Sequence, residues 1–522
     1  MVEEKHAAES NNANSIRTLP DAHQQKHKAQ EMAKSNGVEA TKTLPDSAPQ
    51  KHQVEEMSVF IDRWLGNPMT RGVLKRLTKR CPRCGRRTEN ALEAYATGRK
   101  FDLCFSCRFS SFLISKALDN MIARTDITKE VARQHLSDPM WRKGLASVLE
   151  GIAKYGPQKP FTAYAPFLVV WNISRLCNLK CRHCYEFADK PRPDELNTEQ
   201  AIAAVDKMAD AGVAYIAVSG GEPLMRKDFF EVAKRIHEKE MAFSIATNGT
   251  LLTKDNVSRL KELNCIYVQI SLDGATPATH NWFRGVNAFE KTLQGIKNAV
   301  EQGLTVGISM TVTSHNYKEV PAAIDLAERL GVKFFIHYNF IPTGRGKEIQ
   351  KLDITPQQRE NLLKLLASQN GKRSIKLLST APQYSRVCIE SHAATIAMTH
   401  FDYASPEMTE SIRFLADFIG GCGAGRLYCG LEPNGDIEPC VFIPIRLGNI
   451  KTDDFLGIWH NHDVLKKIRD RAAFKGNCGV CEFRSVCGGC RARAFSYFGD
   501  VQACDPGCIN NLDRWDALAR AA

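Results

Sequence analysis

Between residues 167 and about 370, short runs rich in β-branched and aromatic residues alternate six times with amphipathic helical patterns. No other feature of the 522-residue chain restricts its fold as strongly. The runs are FLVVWNIS (167–174), YIAVSG (215–220), AFSIATNG (242–249), IYVQISLDG (266–274), TVGISMTVT (305–313) and KFFIHYNFIPTG (333–344). Consecutive β/α units cover both faces of their strands and predict a parallel sheet, doubly wound or closed into an incomplete barrel. Either architecture puts chemistry at the carboxyl ends of the strands.

The loop after the first run falls at that end and reads CNLKCRHCY over 177–185, which places Cys177, Cys181 and Cys184 in a C-x3-C-x2-C pattern. With 18 cysteines in the chain, a given three-cysteine spacing arises by chance roughly 0.02 times. A closed structural metal site uses four thiolates. Three thiolates on a [4Fe–4S] cubane leave the fourth iron open to a small molecule.

Fifteen of the 18 cysteines fall into three groups, and Cys265, Cys388 and Cys504 are left over. No secretory signal or apolar span of membrane length is legible, so the chain is expected inside the cell, where such groupings mean metal or iron–sulfur ligation and not disulfides. In the first group, Cys81-x2-Cys84 and Cys104-x2-Cys107 are separated by nineteen residues. Two such knuckles predict one S4 site for zinc or mononuclear iron, stapling a small domain. The formal charge of +12 counts these thiols as neutral; loaded metal sites bring it to about +5, so the global charge discriminates little. Locally, no acidic residue lies between Asp62 and Glu89, while Arg63, Arg71, Lys75, Arg76, Lys79, Arg80, Arg83, Arg86 and Arg87 crowd together. This segment reads as a surface for anionic partners or as a solvated charged face.

Four regions follow. Residues 1–56 form a polar tail with a two-copy repeat, TLPDAHQQKHKAQEM from Thr18 and TLPDSAPQKHQVEEM from Thr43, whose composition predicts disorder. Residues 57–160 form the four-cysteine helical domain, with Phe109, Phe112, Leu113, Leu118, Met121 and Ile122 at helical spacing, then Trp141, Leu145, Val148, Leu149 and Ile152. The β/α array spans 161–375, and a cysteine-rich region spans 376–522.

The triplet, with the aromatic Tyr185 behind it and a β/α array around it, resembles the radical S-adenosylmethionine (radical SAM) enzymes. Gly220-Gly221-Glu222-Pro223, at the end of the second run, resembles the family's GGEP motif, which holds the methionyl amino group of SAM. The resemblance implies a partial (β/α)6 barrel and a SAM-binding [4Fe–4S] cluster on Cys177, Cys181 and Cys184. Tyr185, Asn248 and Ser271 join the cofactor-binding set, Asn248 and Ser271 from the ends of the third and fourth runs. Downstream, Cys422, Cys440, Cys478-x2-Cys481-x5-Cys487-x2-Cys490 and Cys508 resemble the SPASM extension, which carries two auxiliary [4Fe–4S] clusters. Family members space the pair matching Cys487 and Cys490 by three residues instead of two. By analogy one cluster takes Cys422, Cys429, Cys440 and Cys490. The other takes Cys478, Cys481, Cys487 and Cys508, with Cys504 competing for the last position. A zinc ribbon is the plainer reading of the same spacing.

The arrangement as a whole is similar to archaeal tetraether lipid synthase and its relatives. That resemblance implies coupling of lipid alkyl chain ends, an anionic lipid substrate, a peripheral position at the inner membrane surface, and a small ferredoxin- or flavodoxin-like electron donor. Alternatives are a SPASM peptide- or protein-modifying enzyme, which a winged-helix peptide-recognition domain would mark, and a porphyrin-pathway radical SAM enzyme. A non-enzymatic nucleic-acid-binding ribbon protein is a further alternative, with no nucleic acid expected on the leading reading. No catalytic acid or base is singled out.

Overall fold

The computed structural model describes residues 66–99, 102–123, 128–391 and 418–521, and these described residues belong to one compact unit. The duplicated polar segment, Asp62 and Arg63 lie outside the described residues. All six apolar runs become parallel strands: β1 (Leu168–Asn172), β2 (Tyr215–Ser219), β3 (Ala242–Thr247), β4 (Tyr267–Ser271), β5 (Val306–Val312) and β6 (Phe334–Asn339), paired in chain order. The array continues past 375, because β7 (Lys376–Ser379) pairs in parallel with β6. At the other edge β8 (Tyr428–Leu431) pairs in parallel with β1, and β9 (Asp436–Glu438) and β10 (Gly448–Asn449) extend the sheet antiparallel. The cysteine-rich region is thus stitched into the barrel sheet.

Strand alternation divides each run between two environments. Val169 and Trp171 of β1 join the main core beneath the helices, while Leu168 and Val170 line a central cavity. Helix starts are locally specified: Asn197 and Gln200 form a capping box at Thr198–Ala211, and Thr355 and Gln358 form one at Pro356–Gln369.

Among the described residues, five helices precede the barrel: α1 (Pro68–Thr78), α2 (Arg87–Thr97), α3 (Phe105–Ile122), α4 (Lys129–Ser137) and α5 (Pro139–Tyr155). Their small core, with Leu92, Tyr95, Ile114, Leu118 and Leu136, is separate from the main one. In α3 the buried stripe is Cys107, Ser110, Ile114 and Leu118, so Phe109 and Phe112 face outward instead of packing. The metal-site cysteine sets the helix register: turning Cys107 inward leaves Phe105, Phe109 and Phe112 on the opposite face, 79%, 55% and 58% exposed.

Helix α5 covers the amino-terminal end of the barrel. Lys143 Nζ donates to the carbonyls of Lys239 and Glu240 (2.7 Å each), just before β3, and Gly144 lies against Phe167. Its buried residues are mainly small or polar, while Trp141 and Leu145 are only partly buried. Among the described residues no helix is long and apolar enough to cross a membrane.

Candidate active site and metal centres

Cys177, Cys181 and Cys184 stand on the loop leaving β1 and line a cavity of about 450 Å³ together with Tyr185, Gly220, Gly221, Asn248 and Ser271. The barrel therefore gathers residues from four successive strand ends at one place. Each sulfur meets an N–H: Leu179 N lies 3.4 Å from Cys177 Sγ, Ala188 N 3.4 Å from Cys184 Sγ, and Arg284 Nη1 3.6 Å from Cys181 Sγ. Burial pushes the Cys177 thiol up to about 12 and raises that of Cys184 as well. Desolvated thiols with N–H groups aimed at their sulfurs match the needs of cluster iron, which replaces the proton and draws in such donors.

The motif residues take unequal positions. Tyr185 Oη donates to Asn172 Oδ1 (3.0 Å), lies 3.1 Å from Ser219 Oγ, and packs on Phe442. Asn248 Nδ2 donates to Asn178 Oδ1 (2.8 Å), tying the β3 end to the cysteine loop. Gly221 N and Glu222 N donate to the carbonyls of Ser174 and Leu176 on the same loop. Glu222 itself does not line the cavity: it is fully buried, and its carboxylate accepts from Thr247 Oγ1 (2.8 Å), Asn248 N (2.9 Å) and Leu224 N (3.3 Å). These bonds tie the β2 end to the β3 end. Pro223 is buried at the start of the 3-10 turn after it.

At the other end of the barrel Cys81, Cys84, Cys104 and Cys107 bring their sulfurs within 4.8 Å of one another, the one such cysteine group among the described residues. Cys81 Sγ and Cys104 Sγ are 3.8 Å apart. A tetrahedron with metal–sulfur bonds of about 2.3 Å has edges of about 3.8 Å, so the set fits a single ion. Backbone N–H groups of Cys84 and Arg83 hold the Cys81 thiol down at about 6, as a metal ligand requires. Arg80 Nη2 reaches the carbonyl of Asp210, and the Arg86 guanidinium packs on Gly212, at the turn that enters β2. The site is therefore on the floor side, away from Cys177.

The carboxyl-terminal cysteines separate into two places. Cys478, Cys481, Cys487 and Cys508 line a cavity of about 30 Å³, and Cys504 does not line it. Cys440 and Cys490 belong to a different cluster of buried residues, with Cys422 against it, and Tyr428 Oη donates to Cys440 Sγ (3.1 Å). Cys429 parts from this group, contrary to the analogy-based set. It follows Tyr428 in β8, so alternation sends it to the opposite face, beside Val169 of β1 in the main core.

With this geometry in place, comparison with known proteins decides the family. Residues 171–327 match the model of the radical SAM superfamily, and residues 422–491 match an iron–sulfur cluster-binding domain of SPASM type. The chain is 35% identical over 351 residues to AdoMet-dependent heme synthase of Methanosarcina barkeri, covering 66% of this chain and 97% of that one. It belongs to the radical SAM superfamily. The pre-heme d1 synthase of Dinoroseobacter shibae is 31% identical over 351 residues, covering 65% and 85%. The solved structure of Streptococcus suis SuiB bound to precursor peptide SuiA superposes with a TM-score of 0.56 at 17% identity, over 81% of this chain and 92% of that one, a likeness of fold.

As a radical SAM enzyme the chain uses a SAM-binding [4Fe–4S] cluster and SPASM auxiliary clusters. Neither heme-pathway name refers to a lipid, so the alkyl-coupling expectation finds no support in these relatives. The enzyme's cavity also contains residues that motif reading missed: His183, Arg284, Arg345, Tyr215, Tyr267 and Tyr338. Only the glycines beside Arg284 and Arg345 hinted at them. The cavity runs the length of the barrel, from the cysteine loop to Thr305, Phe334 and the α5 residues Met140 and Trp141.

Proposed function

We propose that this radical SAM enzyme modifies an sp3 carbon on a carboxylate-bearing tetrapyrrole, with its SAM cluster on Cys177, Cys181 and Cys184. Bound there, the cluster and SAM supply a 5′-deoxyadenosyl radical able to take hydrogen from an unactivated carbon. The single observation that carries the substrate reading is the barrel-long cavity, large, mostly apolar and furnished with a few donors. Tyr215 Oη donates to Ser244 Oγ (2.6 Å) and Tyr338 Oη to Gln269 Oε1 (2.9 Å), so these rings present satisfied, apolar faces. Among the described residues, Tyr267 Oη is buried without a hydrogen-bond partner and is available to a substrate carboxylate. The heme-pathway relatives support the same class.

The chain's own residues do three things in this scheme. Glu222, Asn248 and Asn178 fix the β2 and β3 ends against the cysteine loop, where SAM would lie; Ser271 offers a hydroxyl from β4. Phe334, Phe167 and Trp141 close the floor and exclude water, which protects a reactive radical. Cys422, Cys440 and Cys490 would hold one auxiliary cluster beside Tyr428, and Cys478, Cys481, Cys487 and Cys508 the other. The electron donor in this reading is a small reducing protein.

In the amino-terminal region the described residues are helical around the S4 site and form no strand. A hydrocarbon chain is the second reading; the exposed Phe105, Phe109 and Phe112 beside Arg108 and Lys116 would suit an anionic membrane surface. The deciding experiment incubates anaerobically reconstituted protein with SAM, dithionite and an iron porphyrin bearing propionates. Porphyrin-dependent 5′-deoxyadenosine with a change in porphyrin mass is expected. Deoxyadenosine that ignores porphyrin and rises with anionic phospholipid would replace the tetrapyrrole by the lipid.

A further inference from the structure

Two segments far apart in the chain grip the cysteine loop with the same pair of residues, an arginine beside a glycine. At the end of the helix Pro277–Arg284, the carbonyls of Arg284 and Phe283 accept from Lys180 N (3.1 Å) and Arg182 N (2.9 Å). After β6, Arg345 N donates to the Cys184 carbonyl (2.8 Å). Gly285 (φ 71°) and Gly344 (φ 59°) are both left-handed, and a Cβ on them would collide with the carbonyls of Lys180 and of Cys184 and Tyr185. The grip is backbone on backbone and leaves no room for side chains.

The two arginines then diverge. Arg345 directs Nε to the Cys181 carbonyl (2.9 Å) and Nη2 to the Ala188 carbonyl (3.0 Å), bracing the loop. Arg284, 7% exposed, directs Nη1 at the Cys181 sulfur and Nη2 at Asp273 Oδ2 (2.7 Å). Asp273 is itself fixed by Thr311 N on Oδ1 (2.9 Å), and His183 Nε2 lies 3.4 Å from its other oxygen. Among the described residues, Cys177 and Cys184 receive only neutral backbone donors, so Cys181 is singled out for a permanently charged one.

We infer that Arg284, with Asp273 as its counter-charge, is a positioning residue that sets the reduction potential of the cluster at Cys177, Cys181 and Cys184. The inference rests on the proposed assignment of those cysteines. Reduction adds negative charge to the cluster and its sulfurs, and a buried guanidinium donating to one sulfur stabilises that state. Asp273 opposes it by drawing on the same cation. Removing the arginine and neutralising the aspartate must therefore move the potential in opposite directions, which a merely distorted loop would not do.

The test is a redox titration of the anaerobic holoenzyme, full chain, following the paramagnetic resonance signal that changes when SAM is added. In Arg284→Gln the reduced-to-oxidised ratio at fixed potential should fall about tenfold, a midpoint lower by about 59 mV for one electron. In Asp273→Asn the midpoint should rise. An unchanged midpoint in Arg284→Gln, or shifts of the same sign, overturns the inference. If Arg284→Gln does not load iron, Asp273→Asn decides alone: an upward shift supports the inference, and no shift or a downward one overturns it. Failure of both to load makes the pair structural and also overturns it. If instead Cys181→Ala retains the SAM-responsive signal, it is the cysteine assignment that has failed.

Discussion

The two ends of the molecule spell the same motif and build different things with it. In the amino-terminal domain both C-x2-C knuckles converge, and four sulfurs come within 4.8 Å, the spacing of a single ion. In the carboxyl-terminal region Cys478-x2-Cys481 and Cys487 surround one small cavity with Cys508, while Cys490, three residues after Cys487, turns to Cys422 and Cys440. Consecutive left-handed glycines, Gly488 (φ 70°) and Gly489 (φ 62°), reverse the chain between them. Asp505 holds the reversal, accepting from Cys490 N (2.9 Å) while its own N–H lies 3.4 Å from Cys478 Sγ. Local spacing thus specifies a knuckle, and only its surroundings specify how many metals it serves.

The comparison can be broken at several points. The largest effect is expected outside both quartets: replacing Cys177, Cys181 and Cys184 by Ala should lower SAM cleavage by at least about 1,000-fold, measured as 5′-deoxyadenosine, because the radical chemistry depends on that cluster alone. Next, Cys487→Ser and Cys490→Ser should each remove about four irons by metal analysis, and the double variant about eight. A double variant that loses no more metal than either single one would reunite the two cysteines in one site and restore the zinc-ribbon reading. Cys84→Ser should release about one metal ion and loosen the helical domain by several kcal/mol in thermal unfolding, while SAM cleavage persists. Loss of cleavage there would turn the floor-side site from a staple into part of the electron path. The smallest effect is expected at Cys429→Ser, where iron content stays unchanged and stability falls by about 1–3 kcal/mol for a buried hydroxyl among apolar neighbours. Loss of iron in that variant would return Cys429 to the auxiliary set.

Much of this was legible along the chain because it depends on neighbours in sequence. Six apolar runs rich in β-branched and aromatic residues named the strands, and the Cys, Gly-Gly-Glu, Asn and Ser after the first four named the end of the barrel at which cofactor residues are expected to meet. C-x2-C pairs named the metal knuckles. Other features were set by partners far away in the chain. Phe109 and Phe112 stood at helical spacing, and Cys107 decided which face of their helix turns inward; Glu222 stood in the GGEP motif, and its oxygens accept from Thr247 and Asn248 of the next strand end. Cys429 counted as a thiolate for a cluster until strand pairing with β1 gave it a side.

By itself, then, the sequence determined the parallel β/α array, the three-cysteine loop at its carboxyl end and the presence of further metal sites, because apolar run composition, loop position and knuckle spacing are local. Only the tertiary structure decided the rest: which cysteines share a cavity, that Cys508 and not Cys504 lines the smaller one, and that the S4 site lies on the barrel floor. It also brought Arg284 to Cys181 across about a hundred residues of chain. The reason is physical: a thiolate, a carboxylate or a guanidinium acquires its role from the groups that desolvate and pair with it, and those groups are set by packing, not by sequence neighbours.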